Sequence, residues 1–317
     1  MARYFGNANR PKLIGVAIAS LCLILVLAIA PLPSDAETTE FSTVFPISAR
    51  DFFRSGTRAA QLGNLEGAIA DFTRAIELDS HFSNAYSNRC WVYLNQFAYT
   101  EARQDCTSAL QQSPNNGEAY LNRGLAAYHQ GDEEAAIADY QAATRLHPTD
   151  ARPYYNRGLV EFDRKNYLNA ITEFTLALRQ TFAYERSTLA RIYTDRGLSY
   201  AQLGNEESAI ADFTCSVRLF PDNASAYYNR ALTYQKQQRY EDAIADFTRS
   251  LQHQPDLALA RVNRGLARDR LGQHQGALED LQRGAESLAQ QGQTLAAERV
   301  KTLIFQLRQN RSTPVTV

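Results

Sequence analysis

Residues 224–257 read ASAYYNRALTYQKQQRYEDAIADFTRSLQHQPDL, and this stretch decides the fold. Tyr227 and Ala231 stand four residues apart in one helical pattern, and Ala243 and Phe247 stand four apart in a second. That spacing places each pair on one side of a helix. The polar run Gln235–Arg239 joins the two patterns, and Pro255 ends the second. Near-copies recur on both sides at a spacing of about 34 residues, the period of a helix–turn–helix solenoid unit. One such unit cannot bury its apolar face alone, so the array is the fold.

Aligned on the small residue within the first helix, the copies begin at Ala49, Ser83, Gly117, Ala151, Ala190, Ala224 and Ala258. Their expected bounds are 49–82, 83–116, 117–150, 151–184, 190–223, 224–257 and 258–291. An aromatic occupies the fourth position: Tyr86, Tyr120, Tyr154, Tyr193 and Tyr227, with Phe53 one place late. The eighth holds Gly56, Cys90, Gly124, Gly158, Gly197, Ala231 and Gly265. Glycine inside a helix costs about 1 kcal/mol relative to alanine, so its repetition implies close helix approach. The expected partner is the small opener of the second helix: Ala68, Ala102, Ala136, Ala170, Ala209, Ala243 or Ala277. A large residue follows four later, as Phe72, Tyr140, Phe174, Phe213, Phe247 and Leu281 do.

These small–aromatic–small–Pro positions resemble the tetratricopeptide repeat (TPR) family from Ala49 to about Gln291. The resemblance implies an all-α, right-handed superhelical solenoid whose first helices line a concave, protein-binding surface. Two positions depart from the family pattern. Its Trp at the fourth position is mostly Tyr here, and its Leu at the seventh is mostly Arg: Arg89, Arg123, Arg157, Arg196, Arg230 and Arg264. A lone buried guanidinium is strongly unfavourable, so each needs an acid. The second helices supply Asp71, Asp105, Asp139, Glu173, Asp212, Asp246 and Asp280. The first copy, which has no repeat before it, has Ser55 instead of Arg. That suggests pairing between repeats, each acid with the Arg of the next: Asp71 with Arg89, Asp105 with Arg123, and so on.

Five extra residues, ERSTL at 185–189, follow Tyr184, and Phe182 stands where a Pro is expected. A longer second helix or a looser joint is expected there, dividing the array four plus three. Residues 292–310 read as a capping helix with Leu295, Val300, Leu303, Ile304 and Leu307 in one apolar stripe. Residues 311–317 read as a disordered tail.

At the other end, Arg3, Arg10 and Lys12 precede the uncharged run LIGVAIASLCLILVLAIA at 13–30. Residues 1–30 therefore read as an N-terminal hydrophobic helix, a single-pass membrane anchor with its basic end in the cytoplasm. Ser34-Asp35-Ala36 offers a cleavage site, so export as a soluble protein is the alternative. Either reading places the repeats outside the cytoplasm. Residues 31–48, rich in Pro, Ser and Thr, read as a flexible linker.

The net charge of -1 gives no basic surplus for nucleic acid. Cys22, Cys90, Cys106 and Cys215 form no CxxC and no cluster with His, so neither metal nor cofactor is expected. Cys90 and Cys106 admit a disulfide in an oxidising compartment, but buried free thiols fit better the small and large-apolar positions they fill. The chain shows no Gly-rich phosphate loop, nucleophile elbow or HExxH, and it is read as non-catalytic.

The sixth position of the first helix holds Asn88, Asn122, Asn156, Asn229 and Asn263, interrupted by Arg54 and Asp195. Asn is a mediocre helix-interior residue, and its amide both donates and accepts. The row can grip a peptide backbone, and peptide-capturing TPR domains use Asn here. The plainer reading is a hydrogen bond to a neighbouring repeat. The family's carboxylate clamp is not assembled, because the fifth position holds Ser87, Leu121, Tyr155, Thr194 and Tyr228 rather than Lys. The ninth holds Trp91, Leu125, Leu159, Leu198, Leu232 and Leu266 rather than Asn. With scattered cations at Arg50, Arg54, Arg152 and Arg191, the surface suits a protein partner presenting an extended or helical segment with hydrophobic anchors.

Overall fold

The computed structural model describes residues 47–180 and 185–312. They form seven helical hairpins. These are α1 (Ala49–Gln61) with α2 (Leu65–Leu78), α3 (Ser83–Asn95) with α4 (Tyr99–Gln112), α5 (Gly117–His129) with α6 (Glu133–Leu146), and α7 (Ala151–Asp163) with α8 (Tyr167–Arg179). The remaining three are α9 (Arg186–Gln202) with α10 (Glu206–Leu219), α11 (Ala224–Lys236) with α12 (Tyr240–His253), and α13 (Ala258–Arg270) with α14 (His274–Gln290). A final helix, α15 (Thr294–Ser312), follows, and the described residues contain no strand.

Each hairpin turn is sharp because the second residue after the first helix takes a positive φ. Gly63, Gly131, Gly204 and Gly272 do so without penalty, at φ 73–80°. Phe97, Lys165 and Gln238 take the same conformation at φ 60–63°, where a side chain costs about 1–2 kcal/mol. The side chains of Asn64, Asp132 and Asn205 then cap the second helices, accepting backbone N–H groups.

Within a hairpin, residues sixteen apart face each other. An added Cβ would lie 2.9 Å from the Phe72 ring at Gly56, 2.8 Å from Tyr140 at Gly124, and 2.6 Å from Phe174 at Gly158. The glycines admit the large ring, and the approach to the small opener expected from sequence is met as well: an added Cβ would lie 3.2 Å from the Ala68 carbonyl oxygen at Gly56 and 3.0 Å from that of Ala277 at Gly265. In the second hairpin the same slot holds Cys90 and Cys106, and the structure joins them in a disulfide with Cα atoms 5.4 Å apart. The expectation of free thiols is corrected. Two sulfurs replace a ring against a glycine, and both cysteines are fully buried.

The arginines also obey the sixteen-residue rule, which corrects the inter-repeat pairing. Arg89 meets Asp105, not Asp71, donating from Nε at 2.6 Å and from Nη2 at 2.8 Å. Arg123–Asp139, Arg157–Glu173, Arg196–Asp212, Arg230–Asp246 and Arg264–Asp280 repeat the arrangement. Antiparallel helices put the seventh residue of the first beside its own partner, so the acid lies within the repeat. The third guanidinium nitrogen reaches the preceding repeat instead: Arg89 to Thr73 at 2.7 Å, Arg196 to Thr175 at 3.0 Å, Arg230 to Thr214 at 2.9 Å and Arg264 to Thr248 at 3.1 Å. At these arginines a neutral hydroxyl, not a carboxylate, is the partner in the neighbouring repeat. In the first hairpin Ser55 stands at the position these arginines occupy. Tyrosine completes the wrapping, with Arg89 5.8 Å from the Tyr86 ring and Arg123 5.5 Å from Tyr120.

The described residues divide into two compact units, one up to His147 and one from Pro148. The joint expected at 184–190 is not the division, since repeats four and five lie within one unit. The inserted residues lengthen the first helix of the fifth repeat: α9 starts at Arg186 and runs 17 residues. Phe182 lies outside the described residues. In the second unit α15 covers the last hairpin, burying Ala297, Val300 and Ile304 against Leu281, Ala285 and Leu288. Leu295, expected in that stripe, is instead 65% exposed. Among the described residues no helix is long and apolar enough to cross a membrane. The hydrophobic run 13–30, the rest of residues 1–46 and the tail 313–317 lie outside them.

Candidate polypeptide-binding site

The asparagine row does not present a uniform set of free amides. Asn88 donates to Thr57 Oγ1 at 3.5 Å and Asn263 to the Tyr228 hydroxyl at 3.2 Å, each on the preceding first helix. Asn122 is buried, and Asn156 is 1% exposed with neither amide atom bonded among the described residues. Asn229 is half-buried. The plainer reading, bonding between repeats, therefore describes Asn88 and Asn263. Burial withdraws Asn122 and Asn156 from solvent.

The cations divide too. Arg54 is exposed, 4.0 Å from Asp51. Arg152 is mostly buried, its Nε 3.0 Å from both oxygens of Asp150, so its charge is spent at a helix start. Arg191 is half-buried. At the fifth position Ser87, Leu121, Tyr155 and Thr194 are buried. The Tyr155 hydroxyl donates to Asp195 at 2.7 Å, which gives the interrupting acid a structural partner. Burial pushes the Tyr228 hydroxyl up to about 12, against the opposing hydrogen bond from Asn263, so it stays protonated.

A cleft borders the first helices of the second unit. In the second unit Leu232, Gln235 and Lys236 of α11, Tyr240 of α12, and Asn263 and Arg270 of α13 enclose about 360 Å³. Leu232 and Tyr240 supply apolar surface. Lys236 lies 2.9 Å from Glu206, and Arg270 is exposed. Gln235 Oε1 is buried there without a hydrogen-bond donor. Leaving such an acceptor unbonded costs about 1–3 kcal/mol, and the atom has no exposed surface of its own, so only a turn of the Gln235 amide toward the cleft brings it to an incoming N–H. Of the sequence-selected residues only Asn263 lies in this cleft. Gln235 and Lys236 were missed, although they follow Leu232 at the i+3 and i+4 spacing that shares a helix face.

A larger depression in the first unit, about 480 Å³, is lined by Thr100, Arg103, Gln104, Thr107, Ser108 and Gln130. Its polar groups are internally engaged. Arg103 donates to Asp132 at 2.7 Å, and the Thr107 and Ser108 hydroxyls bond carbonyls of their own helix. Among the described residues none of its lining side chains carries a buried unbonded acceptor, so the smaller cleft is the better candidate. Among the described residues no group of His, Cys, Asp or Glu is placed to hold a metal.

Models described as "Tetratricopeptide repeat" match residues 53–117 and 224–257, and one described as "TPR repeat" matches 127–163 and 197–238. Together they span just over half of the chain. The chain belongs to the tetratricopeptide repeat family. No curated protein matches the sequence. Among solved TPR-like structures, a chain of the APC/C hetero-tetramer Cut9–Hcn1 is similar at TM-score 0.60 and 20% identity, over 71% of this chain and 43% of that one. The chain thus spans less than half of that relative's length. A tetratricopeptide repeat protein from Parabacteroides merdae matches at TM-score 0.58 and 19% identity, over 82% of this chain and 100% of that one. YrrB, described as a TPR protein with an unusual peptide-binding site, matches at TM-score 0.50 and 21% identity, over 62% and 97%. At these identities the likeness is one of fold. TPR proteins in general mediate protein–protein interaction and assembly.

Proposed function

We propose that this TPR array is a non-catalytic scaffold that holds a polypeptide segment on the first helices of its second unit, beside a membrane. The observation that carries the reading is the cleft from Leu232 to Arg270, with its apolar walls and the unbonded acceptor Gln235 Oε1. Once the Gln235 amide turns toward the cleft a peptide N–H satisfies that acceptor, Asn263 offers a second amide, and Leu232 and Tyr240 receive an apolar side chain. YrrB's peptide-binding description belongs to a protein of similar fold and agrees in kind.

The repeats are assigned to a compartment outside the cytoplasm, held there by the hydrophobic run 13–30 as a single-pass anchor. The buried Cys90–Cys106 disulfide supports this, because such bonds persist in oxidising compartments. The second reading, a soluble exported protein, rests on Ser34-Asp35-Ala36 as a cleavage site. The mass of the mature N-terminus separates the two, and either keeps the repeats in the same compartment.

Selection of a displayed random-peptide library on the full-length chain tests the binding reading. Enriched peptides are expected to lose about tenfold or more in affinity with Arg270→Glu, an exposed change that leaves the helical signal intact. A library that yields no enriched peptide, or peptides indifferent to both Arg270→Glu and Asn263→Ala, would overturn it.

A further inference from the structure

The cleft between α11 and α13 changes character along its length. Leu232 and Asn263 border one part of it, and Lys236 and Arg270, further along the same two helices, border the other. Lys236 and Arg270 are the last residues of α11 and α13. The other five first helices end on Gln61, Asn95, His129, Asp163 and Gln202. A cation at a helix C-terminus suits the helix dipole, yet five of the seven hairpins do without a permanent one. The fold therefore does not require the two that meet at this cleft.

Nothing inside the cleft neutralises them, because none of its lining residues is acidic. Lys236 meets Glu206, outside the lining, at 2.9 Å, with its own side chain 59% exposed. A surface pair of that kind is weak and is readily exchanged for another carboxylate. The Arg270 guanidinium is exposed and has neither a salt bridge nor a hydrogen bond among the described residues. The acids nearest in sequence are turned to other partners, Asp242 to Arg239 at 2.6 Å and Asp269 to His274 at 3.0 Å. The arginines that packing uses on these helices, Arg230 and Arg264, have their own acids. Arg270 is thus a cation left over at the mouth of a cleft.

Resting on the polypeptide reading of this cleft, we propose that its occupant is an acidic segment, one that sets an Asp or Glu side chain on Arg270 and an apolar side chain against Leu232 and Tyr240. The Arg270 fork can hold both carboxylate oxygens, and Lys236 adds a second cation as a point charge. Complementary charge at such a site fixes the register of the bound segment and turns away basic ones.

The test uses the full-length chain and three displayed libraries of short random peptides, whose charged residues are only Asp and Glu, only Lys and Arg, or absent. Each peptide is held at both ends, so that no free C-terminal carboxylate is offered. The acidic library is expected to enrich, and replacing the enriched acid by its amide should weaken binding about fivefold. In Arg270→Gln the same replacement should change affinity by less than about twofold, because the partner of the acid is gone. Arg218→Glu, an exposed change on α10 outside the cleft, should leave binding as it was. Enrichment of the uncharged or basic library alone, with affinity that falls in Asn263→Ala, would keep the polypeptide reading and overturn the acidic occupant. An acid-to-amide loss that persists in Arg270→Gln, or equal losses from Arg270→Glu and Arg218→Glu, would overturn it as well. Enrichment from none of the three libraries would overturn both.

Discussion

Replacing Asp246 by Ala should destabilise the second unit by about 3–5 kcal/mol, measured by chemical denaturation followed through the helical signal. Arg230 donates to Asp246 from Nε at 2.6 Å and Nη2 at 2.9 Å, and to Thr214 from Nη1 at 2.9 Å. Their side chains are 14% and 8% exposed, so the change strands a guanidinium that cannot reach bulk water. Burial opposes the charge on Arg230, but Asp246 outweighs it and the pKa is raised. With Asp246 gone that support is lost, but a guanidinium is too basic to shed its proton in a protein, so the stranded charge persists. Replacing both residues with Leu should recover most of the loss, since an apolar pair of similar volume is often neutral. The single arrangement within the repeat is also tested: Asp212→Ala should disturb Arg196 and leave the Arg230 pair intact. Equal loss at both arginines would favour pairing between repeats.

The second large effect is expected at Cys90 and Cys106. Their disulfide closes a loop of sequence separation 16, worth about 3 kcal/mol on loop-entropy grounds. Cys90→Ala with Cys106→Ala removes the link and also empties a fully buried slot. Cys90→Gly with Cys106→Phe rebuilds the pairing used at Gly158 and Phe174, and should recover the packing without the link. Denaturation of the three proteins under non-reducing conditions checks the order: native most stable, Gly/Phe next, Ala/Ala least. A native chain unaffected by reductant after unfolding and refolding would remove the disulfide from the account, and with it one support for the oxidising compartment.

The fold was legible because its signal is repeated. The starts at Ala49, Ser83, Gly117, Ala151, Ala224 and Ala258 coincide with helix starts, since the small residues there recur in a fixed frame. Partner choice was less legible. Sequence places Asp105 equally well beside Arg89 of its own hairpin or Arg123 of the next, and only antiparallel packing at sixteen residues decides. The same geometry makes Cys90 and Cys106 facing residues, which their unlike roles as small and large apolar positions concealed. The asparagine row misled in a different way. Regular spacing marks a shared face, but not whether that face meets solvent or the neighbouring repeat. Asn156 is buried where Asn263 borders a cleft, because local side chains such as Tyr240 and Arg270 shape that space.

Site-specific photo-crosslinking in the living cell tests the central claim most directly, with a benzophenone amino acid placed at Tyr240 in the cleft and, separately, at exposed Gln252 on the second helix of the same repeat. The account predicts a discrete polypeptide adduct from position 240, mapping to one segment of the partner, and none of that adduct from position 252. Adducts that are the same from both positions, or no polypeptide adduct from position 240, would contradict it.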